Sequence, residues 1–176
     1  GLKRTARALP IADSAYRYAA WLMLFTPDMQ DALLQPALTE AVGSYDPRWP
    51  YPHYYSMLSS AAADHLNRLM YVDLKTWLVD TYMEKTDKAT MACSLEARLP
   101  LLDPRLVELA FQIPGRYKIR GWSTKRIFKQ AVADLVPPAV LRKPKHGFAV
   151  PLDPWFRGAL KEFSREVLFD ERTRRR

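Results

Sequence analysis

Cysteine is nearly absent. The 176 residues contain one, Cys93, which excludes an internal disulfide and any cysteine-based zinc cage and fits a reducing compartment. Glycine is scarce too. Six glycines stand singly, at positions 1, 43, 115, 121, 147 and 158, so neither a GxGxxG nor a GxxxxGK loop can be built. Phosphate binding, if present, must come from side chains rather than a glycine-lined backbone cradle, which disfavours a self-contained nucleotide-binding domain. No apolar run approaches the ~20 residues of a spanning helix, and residues 1–10 lack the apolar core of a signal peptide. A cytoplasmic protein without a membrane partner is expected. His53, His65 and His146 are too scattered for a metal triad, and no metal site is expected on this chain.

Proline, in contrast, is abundant at fourteen, and it sits where helices begin. Thr26-Pro27, Asp103-Pro104 and Asp153-Pro154 each place a side-chain acceptor at N-cap and proline at the first helical position. Ser14–Phe25 reads as a buried helix, and Pro27–Leu34 and Pro36–Val42 as short ones, the second closed by Gly43. Leu58, Ala62, Leu66, Leu69, Leu74, Trp77 and Leu78 recur at helical steps and predict one long helix from Met57 to about Lys85, with Asp64 and Arg68 paired at i,i+4. Thr86 reads as the N-cap of a helix through Met91 to Leu95, followed by an extended connector over Leu99–Leu102. Amphipathic helices are expected around Leu106–Ile113 and Ile127–Leu135, with a last one carrying Trp155, Phe156, Leu160 and Phe163. The segment Tyr45–Tyr55 (YDPRWPYPHYY) is expected to be an extended loop pinned to the core by its rings. No strand pattern exceeds about four residues, so an all-α compact multi-helix unit over residues 1–176 is expected. Its 48% hydrophobic and 26% charged residues suit a globular chain.

The charge is concentrated. Between Arg116 and His146 there are nine basic residues against the single acid Asp134, which equals the net +8 of the whole chain. Such a field favours anionic partners. Lys125, expected at the start of a helix, and Lys145, on a loop bracketed by Pro144 and Gly147, are separated by one helix and a turn. Two such lysines can converge on one anion, because an ammonium is a point charge tolerant of geometry.

Three motifs then fall in order: TDKATMACSLEARLPLLD from Thr86 to Asp103, Lys125-Arg-Ile-Phe-Lys129, and RKPKHGFAVPLDPW from Arg142 to Trp155. Together they resemble the C-terminal synthetase region of the glutamine-hydrolysing asparagine synthetase family, whose pattern is similar to D[RK]xSMxxSLExRxPFLD, KxxL and RxKxGFxxPxxxW. The resemblance implies the helical part of an adenine-nucleotide α-hydrolase-like synthetase domain, without its parallel sheet. It also implies ATP and Mg²⁺, bound mainly by upstream segments, and partners in the amidohydrolase and nucleotide-binding portions of the same polypeptide. Neither the family's SGGxDS loop nor its GxGxDE segment occurs here, the basic run Arg172–Arg176 and the start at Gly1 read as cuts within a longer chain, and the fragment is expected to be inactive alone.

By resemblance, Lys145 and Lys125 are the catalytic lysines directed at pyrophosphate. Asp87, Glu84, Arg142 and Gly147 lie near the substrates, and Glu96, Arg98 and Asp103 form a buried ion network beside them. Aspartate is the implied acceptor. Asp80-Thr81, where two acids often occur, leaves open the other acids that relatives of this architecture amidate or cyclise. A homodimer is compatible with the resemblance. The alternatives are a basic nucleic-acid-binding helical module, less favoured, and an interaction domain without chemistry.

Overall fold

A computed structural model describes residues 2–58, 63–144 and 150–174. Among them there is no strand, only an isolated antiparallel bridge between Arg120 and Ser123, and the all-α class expected from the sequence holds. The chain groups into two units, residues 1–131 and 132–176.

The first unit contains α1 (Leu2–Ala8), α2 (Ser14–Leu22), α3 (Pro27–Leu33), α4 (Pro36–Val42), α5 (Pro50–Met57), α6 (His65–Lys75), α7 (Glu84–Met91), α8 (Pro104–Gln112), α9 (Gly115–Lys118) and α10 (Arg126–Ala131). Small side chains set its close approaches. Ala8, Ala15, Ala19 and Val72 are the buried apolar residues among those described; α2 packs on α1 and α5, and α5 packs on α6. Asp13 caps α2 by accepting the N–H groups of Ala15 and Tyr16, both at 2.9 Å. Edge-on ring pairs tie the neighbours to α6: Tyr54 to Tyr71 at 6.3 Å and Tyr71 to Phe111 of α8 at 6.0 Å.

Asp64 and Asn67, at the start of α6, fasten the rest. Asp64 caps the helix through the N–H of Asn67 at 2.9 Å and also accepts the N–H of Gly115. The Asn67 amide, 1% exposed, donates to the carbonyls of Phe111 and Ile113 at 3.1 and 3.2 Å, closing the end of α8. Its Oδ1 accepts the Lys118 ammonium. A buried amide left unpaired would cost roughly 1–3 kcal/mol; here both of its ends are used.

Several expectations are corrected. Tyr45–Tyr55 is not wholly extended, because α5 starts at Pro50. Prolines 50 and 52 fall in the first turn, where their missing N–H groups cost nothing. The single helix over 57–85 is absent. Thr76 interrupts it at φ −121°, ψ −84°, its hydroxyl bonding back to the Val72 carbonyl at 2.8 Å, and a π-helical turn follows over Leu78–Met83. That turn runs straight into α7, so Thr86 lies inside the helix rather than capping it. The helix ends at Met91 rather than Leu95, closed by Ser94 at φ +57°. Leu99–Leu102 includes a 3₁₀ turn over Pro100–Leu102. Asp64 is a cap rather than an ion-pair partner of Arg68, whose guanidinium lies 5.5 Å over the Tyr55 ring.

The second unit contains α11 (Pro138–Arg142), α12 (Leu152–Arg157), α13 (Lys161–Phe169) and α14 (Glu171–Arg174). The expected last helix is divided at Gly158, where a Cβ would stand 2.9 Å from the Pro154 carbonyl. Asp153 is not an N-cap but lies in the first turn of α12, paired with Arg157 at 3.6 Å.

A Cβ at Gly115 would lie 2.9 and 3.0 Å from the Asp64 carboxylate and 3.0 Å from the Leu66 Cβ. Gly115→Ala is expected to destabilise by roughly 1–3 kcal/mol through overpacking, read as a lower denaturant midpoint, and Asn67→Ala by a similar amount.

Candidate functional site

Lys125 enters the fold from a tight turn. Arg120 and Ser123 exchange N–H···O bonds at 3.0 Å around Gly121, which has φ +56°. Two residues on, Lys125 itself adopts φ +55°, a left-handed conformation that a side chain resists. Its carbonyl accepts the N–H of Lys129 at 2.9 Å, so the residue is strained but anchored into α10. Strain of this kind collects where a side chain must be aimed.

Its side chain lines a groove of about 510 Å³ with largely apolar walls. One wall is α6 with Trp77 and Tyr82, whose rings meet edge-on at 6.1 Å. Leu101, Leu102, Leu106 and Val107 form another, and Phe128 stands beside Lys125. A second groove of about 320 Å³ shares Met70, Ala110, Lys125 and Phe128 with the first. Lys125 is exposed and thus at the rim of both.

The acid in the larger groove is Asp73. It accepts the Tyr18 hydroxyl at 2.7 Å. Burial raises its carboxyl above the usual value, against the lowering effect of that hydrogen bond. Burial also raises the Tyr18 phenol, helped by the same bond and by the Asp73 charge.

Lys118, read from the sequence as part of the basic patch, is withdrawn from it. It is 8% exposed and bonded to Asn67, its ammonium 5.7 Å over the Phe111 ring. Burial lowers its pKa, opposed by the Asp64 charge. For Asp64, burial works upward. The N–H groups of Asn67 and Gly115 and the Lys118 charge outweigh it and hold the carboxyl below its usual value.

The other candidates are distributed as follows. Glu84 and Asp87 are exposed on α7, and Glu84 pairs with Lys88 one turn on. In place of one buried ion network there are two separate surface pairs. Glu96 meets Arg98 at 2.9 Å with both side chains more than two-thirds exposed. Asp103 caps α8 through the N–H of Arg105 at 2.9 Å and holds its guanidinium at 3.0 Å, which keeps the Asp103 carboxyl below its usual range. These acids precede or follow short turns rather than facing a packed wall, so water reaches them. Arg142 belongs to the second unit and donates to its own helix, at the Pro138 carbonyl, 3.3 Å away. Lys145 and Gly147 lie outside the described residues, as does His146.

The asparagine synthase family model matches residues 4–176. The chain belongs to that family. It is 36% identical over 119 residues to asparagine synthetase [glutamine-hydrolyzing] 1 of Bacillus subtilis (strain 168), covering 68% of this chain and 19% of the relative. It is 38% identical over 130 residues to the putative asparagine synthetase [glutamine-hydrolyzing] of Mycobacterium tuberculosis (strain ATCC 25618 / H37Rv), covering 72% and 20%. The chain thus spans about a fifth of the length of these relatives. No solved structure matches it.

Membership accounts for the ordered motifs; the groove accounts for why Lys125 stands apart from the other bases. Asp73 and its Tyr18 partner were not singled out from the sequence, because the hydrogen bond joins residues 55 positions apart.

Two measurements test this description. Lys125→Gly is expected to stabilise by roughly 0.5–1 kcal/mol, relief of left-handed strain less the entropy of glycine, and to raise the thermal midpoint. Asp73→Asn is expected to raise the midpoint at neutral pH. Because burial raises the Asp73 carboxyl, its ionised form costs stability above the folded pKa. The advantage of the amide should therefore shrink as pH falls and vanish below the unfolded value of 3.8.

Proposed function

We propose that this chain is the helical portion of an ATP-dependent, glutamine-hydrolysing amidotransferase that converts a carboxylic acid, aspartate in the first instance, to its amide. The observation that carries the reading is the exposed, strained Lys125 at the rim of an apolar groove, in a chain of the asparagine synthase family. The relatives are glutamine-hydrolysing asparagine synthetases by name, which supports glutamine as the nitrogen donor and aspartate as the acceptor.

In this reading an acceptor carboxylate oxygen attacks the α-phosphorus of ATP, and pyrophosphate leaves. Ammonia released from glutamine then attacks the acyl carbon, AMP departs, and the amide remains. Negative charge grows on phosphoryl oxygens in the first step. Fixed ammonium groups stabilise that charge more in the transition state than in the ground state. Lys125 and Lys145 take this part. A polyphosphate with Mg²⁺ suits an exposed ammonium at a groove whose acid, Asp73, is already engaged by Tyr18; the remaining ligands belong to upstream segments. Glu84, Asp87, Arg142 and Gly147 are placed near the substrates in the same reading, with Glu96, Arg98 and Asp103 supporting the turn between α7 and α8.

The apolar surface favours a partner on the same polypeptide. Leu101, Leu106, Leu109 and Phe128 are all more than two-fifths exposed. Nucleotide-binding and amidohydrolase portions upstream would cover such faces, and the isolated segment would be inactive. A cytoplasmic location and a homodimer are compatible with this reading.

The test is glutamine-dependent AMP formation in the full-length enzyme. Lys125→Ala and Lys145→Ala are each expected to lower kcat by about 10²–10³-fold, the usual loss for one preorganised charge-stabilising donor. Unchanged turnover in both would remove the role assigned to them.

A further inference from the structure

A second pocket, away from Lys125, has the donors of an anion site and no assigned role. Its volume is about 460 Å³, within the range of small-molecule sites. Ser14, Arg17 and Trp21 of α2 line it at helical steps of three and four, facing His65 and Leu69 one turn apart on α6. None of its lining residues is an acid. The acids on the adjoining elements are committed elsewhere: Asp13 to the α2 amides, Asp64 to the N–H groups of Asn67 and Gly115, and Asp73 to the Tyr18 hydroxyl.

The donors are held rather than loose. Arg17 donates Nε to the Ile11 carbonyl at 2.7 Å and Nη2 to the Ala12 carbonyl at 3.0 Å. That leaves Nη1 without a partner among the described residues. His65 Nδ1 is 2.7 Å from the Tyr55 hydroxyl. With Nδ1 engaged by the phenol, the other ring nitrogen, Nε2, is left for a ligand, and it donates wherever it carries the proton. The Ser14 hydroxyl is a further donor. Around them lie Trp21, Leu22 and Leu69, with Trp21 48% exposed.

We infer that this pocket binds a small carboxylic acid with a flat apolar body, its carboxylate on Arg17, His65 and Ser14 and its ring on Trp21. One guanidinium matches one carboxylate charge, whereas a phosphate dianion would leave a charge unbalanced. Apolar walls favour a ring over an inorganic ion. The pocket shares no lining residue with the Lys125 groove, its Tyr18 touching that groove only through the bond to Asp73, and it does not depend on the function proposed there.

The test uses 4-fluorocinnamate and its neutral amide, followed by ¹⁹F line broadening with the full-length protein. The acid is expected to bind at least about tenfold more tightly than the amide, the value of one charge-assisted hydrogen bond. His65→Ala and Trp21→Ala are each expected to weaken it about five- to tenfold, and Lys125→Ala to leave it unchanged. Arg17→Ala should abolish binding. Since Arg17 also holds the Ile11 and Ala12 carbonyls, the His65 and Trp21 variants decide the matter if it does not fold. Equal affinity for acid and amide, wild-type binding in both of those variants, loss of binding in Lys125→Ala, or displacement by an equal concentration of inorganic phosphate would each overturn the assignment.

Discussion

Asn67 is the joint on which the first unit turns. It is buried, and its side chain bonds simultaneously to the end of α8 and to Lys118 in α9. Two helix ends and a buried cation are thereby referred to one residue at the start of α6. The Asp64 carboxylate adds the N–H of Gly115 to the same joint. Gly115 must be glycine for that approach. From α9 the chain has six residues before Lys125, and they are folded by the Arg120–Ser123 turn. The direction of Lys125 is thus set by hydrogen bonds made at the other end of a short connector, which is how its unfavourable backbone can be sustained.

The same joint divides the basic segment by function. Burying an ammonium costs several kcal/mol unless it is paired. Lys118 offsets that cost with the Asn67 oxygen, the face of the Phe111 ring and the nearby Asp64 charge. It is a structural cation. Lys125, seven residues later, has water on one side and apolar walls on the other. Sequence position does not separate the two, since both stand in one run of nine bases.

What could be read in the sequence follows the range of the forces involved. Pro27, Pro36 and Pro104 start helices, Gly43 ends one and Asp103 caps another, as expected, because each acts within four residues of its own position. The family motifs were legible because their order survives without knowing the fold. The π-helical turn after Thr76 was not, since its spacing of apolar residues imitates a continuous helix. Prolines 50 and 52 misled for the opposite reason: tolerated in a first turn, they were read as forbidding one. The burial of Lys118 and the Tyr18–Asp73 bond depend on partners about 50 residues away. The buried network expected of Glu96, Arg98 and Asp103 divides into exposed pairs because each acid finds a base two residues along its own chain.

The open surface and the proposed chemistry are linked through the dielectric. An ammonium at a water-filled rim acts on a charge 4 Å away with only about 1 kcal/mol, against about 4 kcal/mol at the effective dielectric of a protein interior surface. The difference between these is worth roughly two orders of magnitude in rate. Lys125 as it stands, exposed above Leu101, Leu106 and Phe128, lies at the weak end of that range. Whatever buries those apolar walls also removes water from the ammonium. One burial step would then supply both the hydrophobic free energy that the isolated helices forgo and the electrostatic strength that adenylation requires. Under the proposed function, assembly with the nucleotide-binding portion and activation of the lysine are a single event, and the incomplete core of this chain is the physical reason it would have no activity alone.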